Sequence, residues 1–210
     1  MRRKPDFRSV LGASGRKVVM HQPHTVDNPM GRLQMGDLLF LDDCLYSQYA
    51  FMRERGDELL ERGINVVLGL SSFLVRNGEC EPVSMSVSSE LHDRFHSGDM
   101  TSLCGFMSLG EIRELLGAQN TYLAFHGGRH LNLESDARSG RGKIDIATDF
   151  RGDISSGFGR LHELGFDTDI FVYPYAYDFF VSDRILKEFG FRYIFAGRNS
   201  KRIEIEGTTL

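Results

Sequence analysis

Short apolar runs recur along the chain, and between most of them apolar residues return every three or four positions. Runs at Lys17–His21, 37–42, Ile64–Leu70, Thr121–Phe125, Ile170–Tyr173, Phe191–Ala196 and Arg202–Glu206 have the length of strands. Ile64–Leu70 is almost wholly apolar, as in a strand buried on both faces of a parallel sheet. Tyr46–Arg62 reads as a helix with Phe51, Leu59 and Leu60 on one face, closed by Gly63. Phe106–Gly117 reads as a second helix, with Ser108 as N-cap and Glu111 three residues on, a capping-box pattern. Residues 148–164 and Asp183–Phe189 complete the helices, the last ended by Gly190. Residues 1–16 are expected to be loosely held, 22–36 a long loop, 76–106 less regular, and Ser135–Lys143 a mobile loop. Strand and helix alternate, which predicts an α/β fold with parallel strands and one domain over residues 17–210.

The composition changes this picture little. The 210 residues suffice for one sizeable core, and 41% hydrophobic with 26% charged residues is the profile of a globular domain. A net charge of -4 implies no basic surface, so nucleic acid is not expected as a partner. No apolar run approaches the roughly 18 residues of a membrane span. The basic start, Met1–Lys4, is not followed by the apolar stretch of a signal peptide. Three widely spaced cysteines, Cys44, Cys80 and Cys104, predict a reducing compartment rather than a disulfide framework, and so a cytoplasmic location.

The candidate chemistry lies at two strand ends. Asp42 and Asp43 follow the run Leu38–Leu41, and His126-Gly127-Gly128-Arg129-His130 follows Tyr122–Phe125. α/β folds build their sites where strands give way to loops. Two imidazoles and a carboxylate form a ligand set for a catalytic divalent ion with open positions, and a second carboxylate can take a proton from bound water. Each piece has an ordinary reading too. A lone HxxxH pair is more often a pair of surface or core histidines, and Asp42-Asp43 could simply cap a helix.

The order of the motifs resembles the polysaccharide deacetylases, the NodB-homology domain of carbohydrate esterase family 4. Phe40-Leu41-Asp42-Asp43-Cys44 is similar to that family's Phe-Asp-Asp-Gly, and His126–His130 to its His-(Ser/Thr)-x-x-His. Phe171-Val172-Tyr173-Pro174-Tyr175-Ala176 resembles its Phe-Ala-Tyr-Pro-Tyr-Gly, and the flanks Phe189–Tyr193 and Arg202–Ile205 fit as well. The resemblance implies a distorted (β/α) barrel and hydrolysis of the N-acetyl group of a sugar, here a cytoplasmic glycan or nucleotide-sugar precursor. It implies that Asp43, His126 and His130 hold a divalent metal, zinc first, with cobalt, nickel or iron fitting as well. Asp42 would be the general base, and Tyr175, presented by Pro174, would offer a backbone N–H to the oxyanion.

The departures are specific. Cys44 and Ala176 replace glycines, Gly127 replaces a hydroxyl residue, and Val172 stands where many members carry an arginine. The family's late histidine, its usual general acid, has no counterpart, and His21 at the end of the first strand is the replacement candidate, with His24 second. Cys44 is expected to be a bystander rather than a ligand. His92, His96 and His162 carry no motif and are expected at the surface. The competing reading is a deacetylase-like carbohydrate-binding module without turnover; a third is a hydrolase of another C–N bond. The oligomeric state is not legible.

Overall fold

The computed structural model describes residues 6–11, 18–21, 30, 33–76, 78, 80–83, 88–176, 182–196 and 201–204. Among them are seven strands: β1 (Val18–His21), β2 (Leu38–Leu41), β3 (Asn65–Leu70), β4 (Thr121–Phe125), β5 (Ile170–Val172), β6 (Tyr193–Ala196) and β7 (Lys201–Glu204). The helices are α1 (Phe7–Leu11), α2 (Tyr46–Glu61), α3 (Ser88–His96), α4 (Leu109–Leu116), α5 (Leu133–Arg138), α6 (Lys143–Glu163) and α7 (Ser182–Glu188). The strands follow chain order in one sheet. The chain forms two compact units, Met1–Leu68 with Val75–Leu123, and Gly69–Leu74 with Ala124–Leu210.

In the first unit β1 pairs in parallel with β2, and β2 with β3. All four residues of β2 are buried, so this strand is packed on both faces as its apolar run demands. Helix α2 turns Gln48, Met52 and Leu59 inward. The expected face is therefore rotated: Leu60 lies 44% exposed. Gly63 closes the helix at φ 65°, a left-handed position that only glycine adopts without strain. Helix α4 starts as predicted, with Ser108 Oγ accepting from the Glu111 N–H and the Glu111 carboxylate accepting from the Ser108 N–H. In the segment expected to be loosely held, α1 packs the Phe7 ring 5.0 Å from Tyr122.

The less regular stretch 76–106 carries α3, which was not expected and which buries Leu91 and His92. One expectation fails in this unit. Cys80 and Cys104 form a disulfide, 24 residues apart in sequence. The cysteine argument for a reducing compartment therefore falls, because odd number and wide spacing say nothing about which thiols meet in three dimensions.

In the second unit Phe125, Phe158, Phe171 and Phe191 form an aromatic core, with Phe125 and Phe191 stacked at 5.8 Å. Helix α6 begins five residues earlier than expected and buries Ile146, Phe150, Asp153, Ile154, Gly157 and Leu161 along one stripe. The expected mobile loop at 135–143 contains most of α5, whose first turn is capped by the Asn132 side chain accepting from the Ser135 N–H. Strand β5 pairs in parallel with β6, but β6 and β7 run antiparallel. The four residues between them are too few for a crossover, which needs a dozen or more.

Candidate metal centre

The first unit contributes the end of β2. Here the backbone turns sharply: Asp43 lies at φ 76° and Cys44 at φ 51°. Neither residue favours the left-handed region, so the turn must be held by its surroundings. Gln48, buried on α2, does part of this. Its amide donates to the Asp42 carbonyl and its Oε1 accepts from the Leu45 N–H at 2.9 Å. The Met107 N–H donates to the Cys44 carbonyl at 2.8 Å. The Cys44 thiol is fully buried, and burial, followed by the charges of Asp43 and Asp42, pushes its pKa far upward. Behind Asp43 sits His92, 1% exposed, its Nε2 3.4 Å from Asp43 Oδ1 and its ring stacked on Phe106 at 5.6 Å. His92 is thus not a surface residue. Helix α3 was not anticipated, so nothing gave this histidine a buried face.

The second unit contributes the end of β4. The loop that follows is tied on one side to residues 70–73. The His126 N–H donates to the Leu70 carbonyl at 2.9 Å, Ser71 Oγ to the His126 carbonyl at 2.9 Å, and the Phe73 N–H to the Gly128 carbonyl at 3.0 Å. On the other side the buried Asp153 carboxylate accepts from the N–H groups of Gly128 at 2.7 Å and Arg129 at 3.0 Å. Gly127 takes φ 83° and His130 φ 60°, which brings the two rings within 4.8 Å of each other. His126 Nδ1 lies 2.8 Å from the Val172 carbonyl. A carbonyl can only accept, so Nδ1 carries the proton and Nε2 keeps its lone pair. That lone pair lies 3.1 Å from His130 Nε2. Tyr175, also left-handed at φ 54°, sets its ring 4.7 Å from that of His130.

In the second unit His126 and His130 are both buried, with their Nε2 atoms 3.1 Å apart, and in the first unit the Asp43 carboxylate is buried at the end of β2. Two imidazole nitrogens and one carboxylate oxygen suit a divalent ion, zinc among the first choices, and the fixed His126 tautomer presents the nitrogen a metal needs. Within the second unit the two histidines expected as ligands stand side by side, with Tyr175 against one of them. His21 ends β1 and pairs in register with Leu41, the residue before Asp42. His24 lies outside the described residues. His96 and His162 are exposed, as expected. Sequence reasoning missed His92, Gln48 and Asp153. Only Gln48 left a local signal, as a polar residue three positions into α2 that can reach back to the turn before it.

No protein-family model matches the chain, and no curated protein matches it. Solved structures do. IcaB from Ammonifex degensii is 21% identical, with a TM-score of 0.52 over 90% of this chain and 72% of that one. The deacetylase domain of BpsB from Bordetella bronchiseptica is 16% identical, with a TM-score of 0.53 over 77% of this chain and 64% of that one. A de-N-acetylase from Aggregatibacter actinomycetemcomitans is 16% identical, with a TM-score of 0.57 over 96% of this chain and 79% of that one. At such identities the likeness is one of fold, and the fold is the distorted (β/α) barrel that the motifs implied.

Proposed function

We propose that this protein is a metal-dependent amide hydrolase that removes the N-acetyl group of a sugar. The buried imidazole pair of His126 and His130 carries the reading, with the buried Asp43 as the third ligand that the motifs imply. The fold shared with a deacetylase domain and a de-N-acetylase supports it. A divalent ion held by these three residues would supply Lewis-acid polarisation of the acetyl carbonyl and a bound water of lowered pKa. Asp42, next in sequence to a ligand, accepts the proton of the attacking water. The Tyr175 backbone N–H, presented after Pro174, stabilises the negative charge that develops on the acetyl carbonyl oxygen as water adds to its carbon. His21 returns a proton to the nitrogen as the C–N bond breaks, so that acetate and a neutral amine leave. The Cys80–Cys104 disulfide supports an oxidising compartment, which favours a finished N-acetylated glycan over a nucleotide-linked precursor in the cytoplasm. No helix of the described residues is long and apolar enough to cross a membrane.

The test is acetate release from a panel of N-acetylglucosamine oligomers and nucleotide-linked N-acetyl sugars. It compares protein stripped by chelator with protein reloaded with zinc, cobalt, nickel or iron. Metal-dependent acetate is the expected result. Tight binding of metal and sugar with no acetate from any substrate would replace hydrolysis by a binding module.

A further inference from the structure

The His126–His130 loop departs from the resembling motif at Gly127, where a hydroxyl residue is expected, and the structure shows what occupies the vacated space. A Cβ built on Gly127 would meet Asp153 Oδ2 at 3.2 Å. The same carboxylate accepts from the backbone N–H groups of Gly128 and Arg129, the two residues just before His130. Asp153 is itself only 4% exposed, on the buried stripe of α6. One turn further along, Gly157 touches the loop directly: a Cβ there would fall 2.4 Å from the Gly128 Cα. A Cβ on Gly128 would fall 2.9 Å from both the Asp153 carbonyl and Oδ1. Helix and loop are therefore in backbone contact, and the carboxylate bridges them.

We propose that Asp153 is the positioning residue of the metal-binding loop: by clamping the N–H groups of Gly128 and Arg129 it holds His126 and His130 at ligand spacing. The inference rests on the metal-centre reading above. Its chemistry is simple. Two adjacent N–H groups point the same way, and the two oxygens of one carboxylate accept one each. The left-handed His130 would relax toward ordinary backbone angles if the two preceding amides were released, because that region is disfavoured for a residue with a Cβ. Gly128 and Gly157 are then required together, since any side chain at either would separate the loop from the helix. No local pattern announces the clamp, because Asp153 lies 23 residues beyond His130 and on a different element.

Asp153→Asn keeps size and shape but offers one acceptor and a donor to two donors. In metal-free protein, amide hydrogen exchange at Gly128 and Arg129 should be slow and should quicken by about tenfold or more in the variant. Isothermal titration with zinc should show the dissociation constant rising about 10- to 100-fold, the range of outer-shell changes at metal sites. Circular dichroism and thermal unfolding check that the variant folds. Should it not fold, Gly128→Ala tests the same coupling with the carboxylate intact, and should weaken zinc binding likewise. Quicker exchange with unchanged zinc affinity would reduce Asp153 to a structural staple and overturn the proposal. So would unchanged exchange in Asp153→Asn, or wild-type zinc affinity in folded Gly128→Ala. Absence of zinc binding by the wild-type protein would instead sink the function proposed above, and the exchange experiment would then judge the loop clamp by itself.

Discussion

Nε2 of His92 lies 3.4 Å from Oδ1 of Asp43, and both side chains are buried. His92 therefore acts on the proposed metal ligand Asp43 from within the same unit. Carboxylates that bind metals are commonly held in this way, and the partner tunes their orientation. His92→Leu keeps an apolar body against Phe106 but removes the polar contact. We expect the variant to fold and its zinc affinity to fall by roughly tenfold or more. Titration calorimetry checks this, and an unchanged affinity would leave His92 as packing alone.

Asp42 and Asp43 are adjacent but not equivalent. The Asp43 carboxylate meets the buried His92, while the Asp42 carbonyl is tied to Gln48. Asp42→Asn should therefore retain stoichiometric metal and lose hydrolysis by a factor of about 10² or more. Asp43→Asn should lose metal. Metal analysis after dialysis, together with acetate release, separates the two. The reverse pattern would exchange their roles.

His21 stands in register with Leu41, one residue before the aspartates. With its ordinary pKa near 6.5, a histidine suits donation to a leaving amine near neutral pH. His21→Gln should lower turnover by about 10² with metal content intact. Full turnover in that variant would take His21 out of the reaction and leave the proton to another group or to water.

The Cys80–Cys104 disulfide closes a loop of 24 residues that contains α3 and therefore His92. Loop-closure entropy of this length corresponds to about 3 kcal/mol of stability. Urea unfolding of Cys104→Ser, or of wild-type protein under reductant, should show a loss of that order. Identical midpoints with and without the bridge would show that it does not constrain the unfolded chain. A reduced protein that folds but binds zinc less well would tie the bridge to the site through α3.

Much of the fold was legible because its signals are local. The apolar run at 38–41 and the Ser108–Glu111 capping box depend on neighbours within four residues, and both appear where expected. The strand ends that carry the three proposed ligands were legible for a related reason: the end of a strand is set by where its apolar run stops. Helix α3 was missed because its buried face is just Leu91 and His92, too few for a periodic pattern. The early start of α6 was missed because Gly142 and exposed Ile144 look like loop residues.

The sequence alone determined which residues could do chemistry and on which strand ends they stand, since residue type and hydrophobic period are properties of adjacent positions. Only the tertiary structure decided how those residues are held. Asp43, Cys44, His130 and Tyr175 are the four non-glycine residues with left-handed backbones among those described, and three of them were singled out for the site. Such angles are unfavourable locally, so no local pattern predicts them; long-range hydrogen bonds impose them. The Asp153 clamp, the contact of His92 with Asp43, the Cys80–Cys104 bridge and the antiparallel β7 belong to the same class. Each joins elements through space, and the pairing energy resides in that contact rather than in the order of the chain.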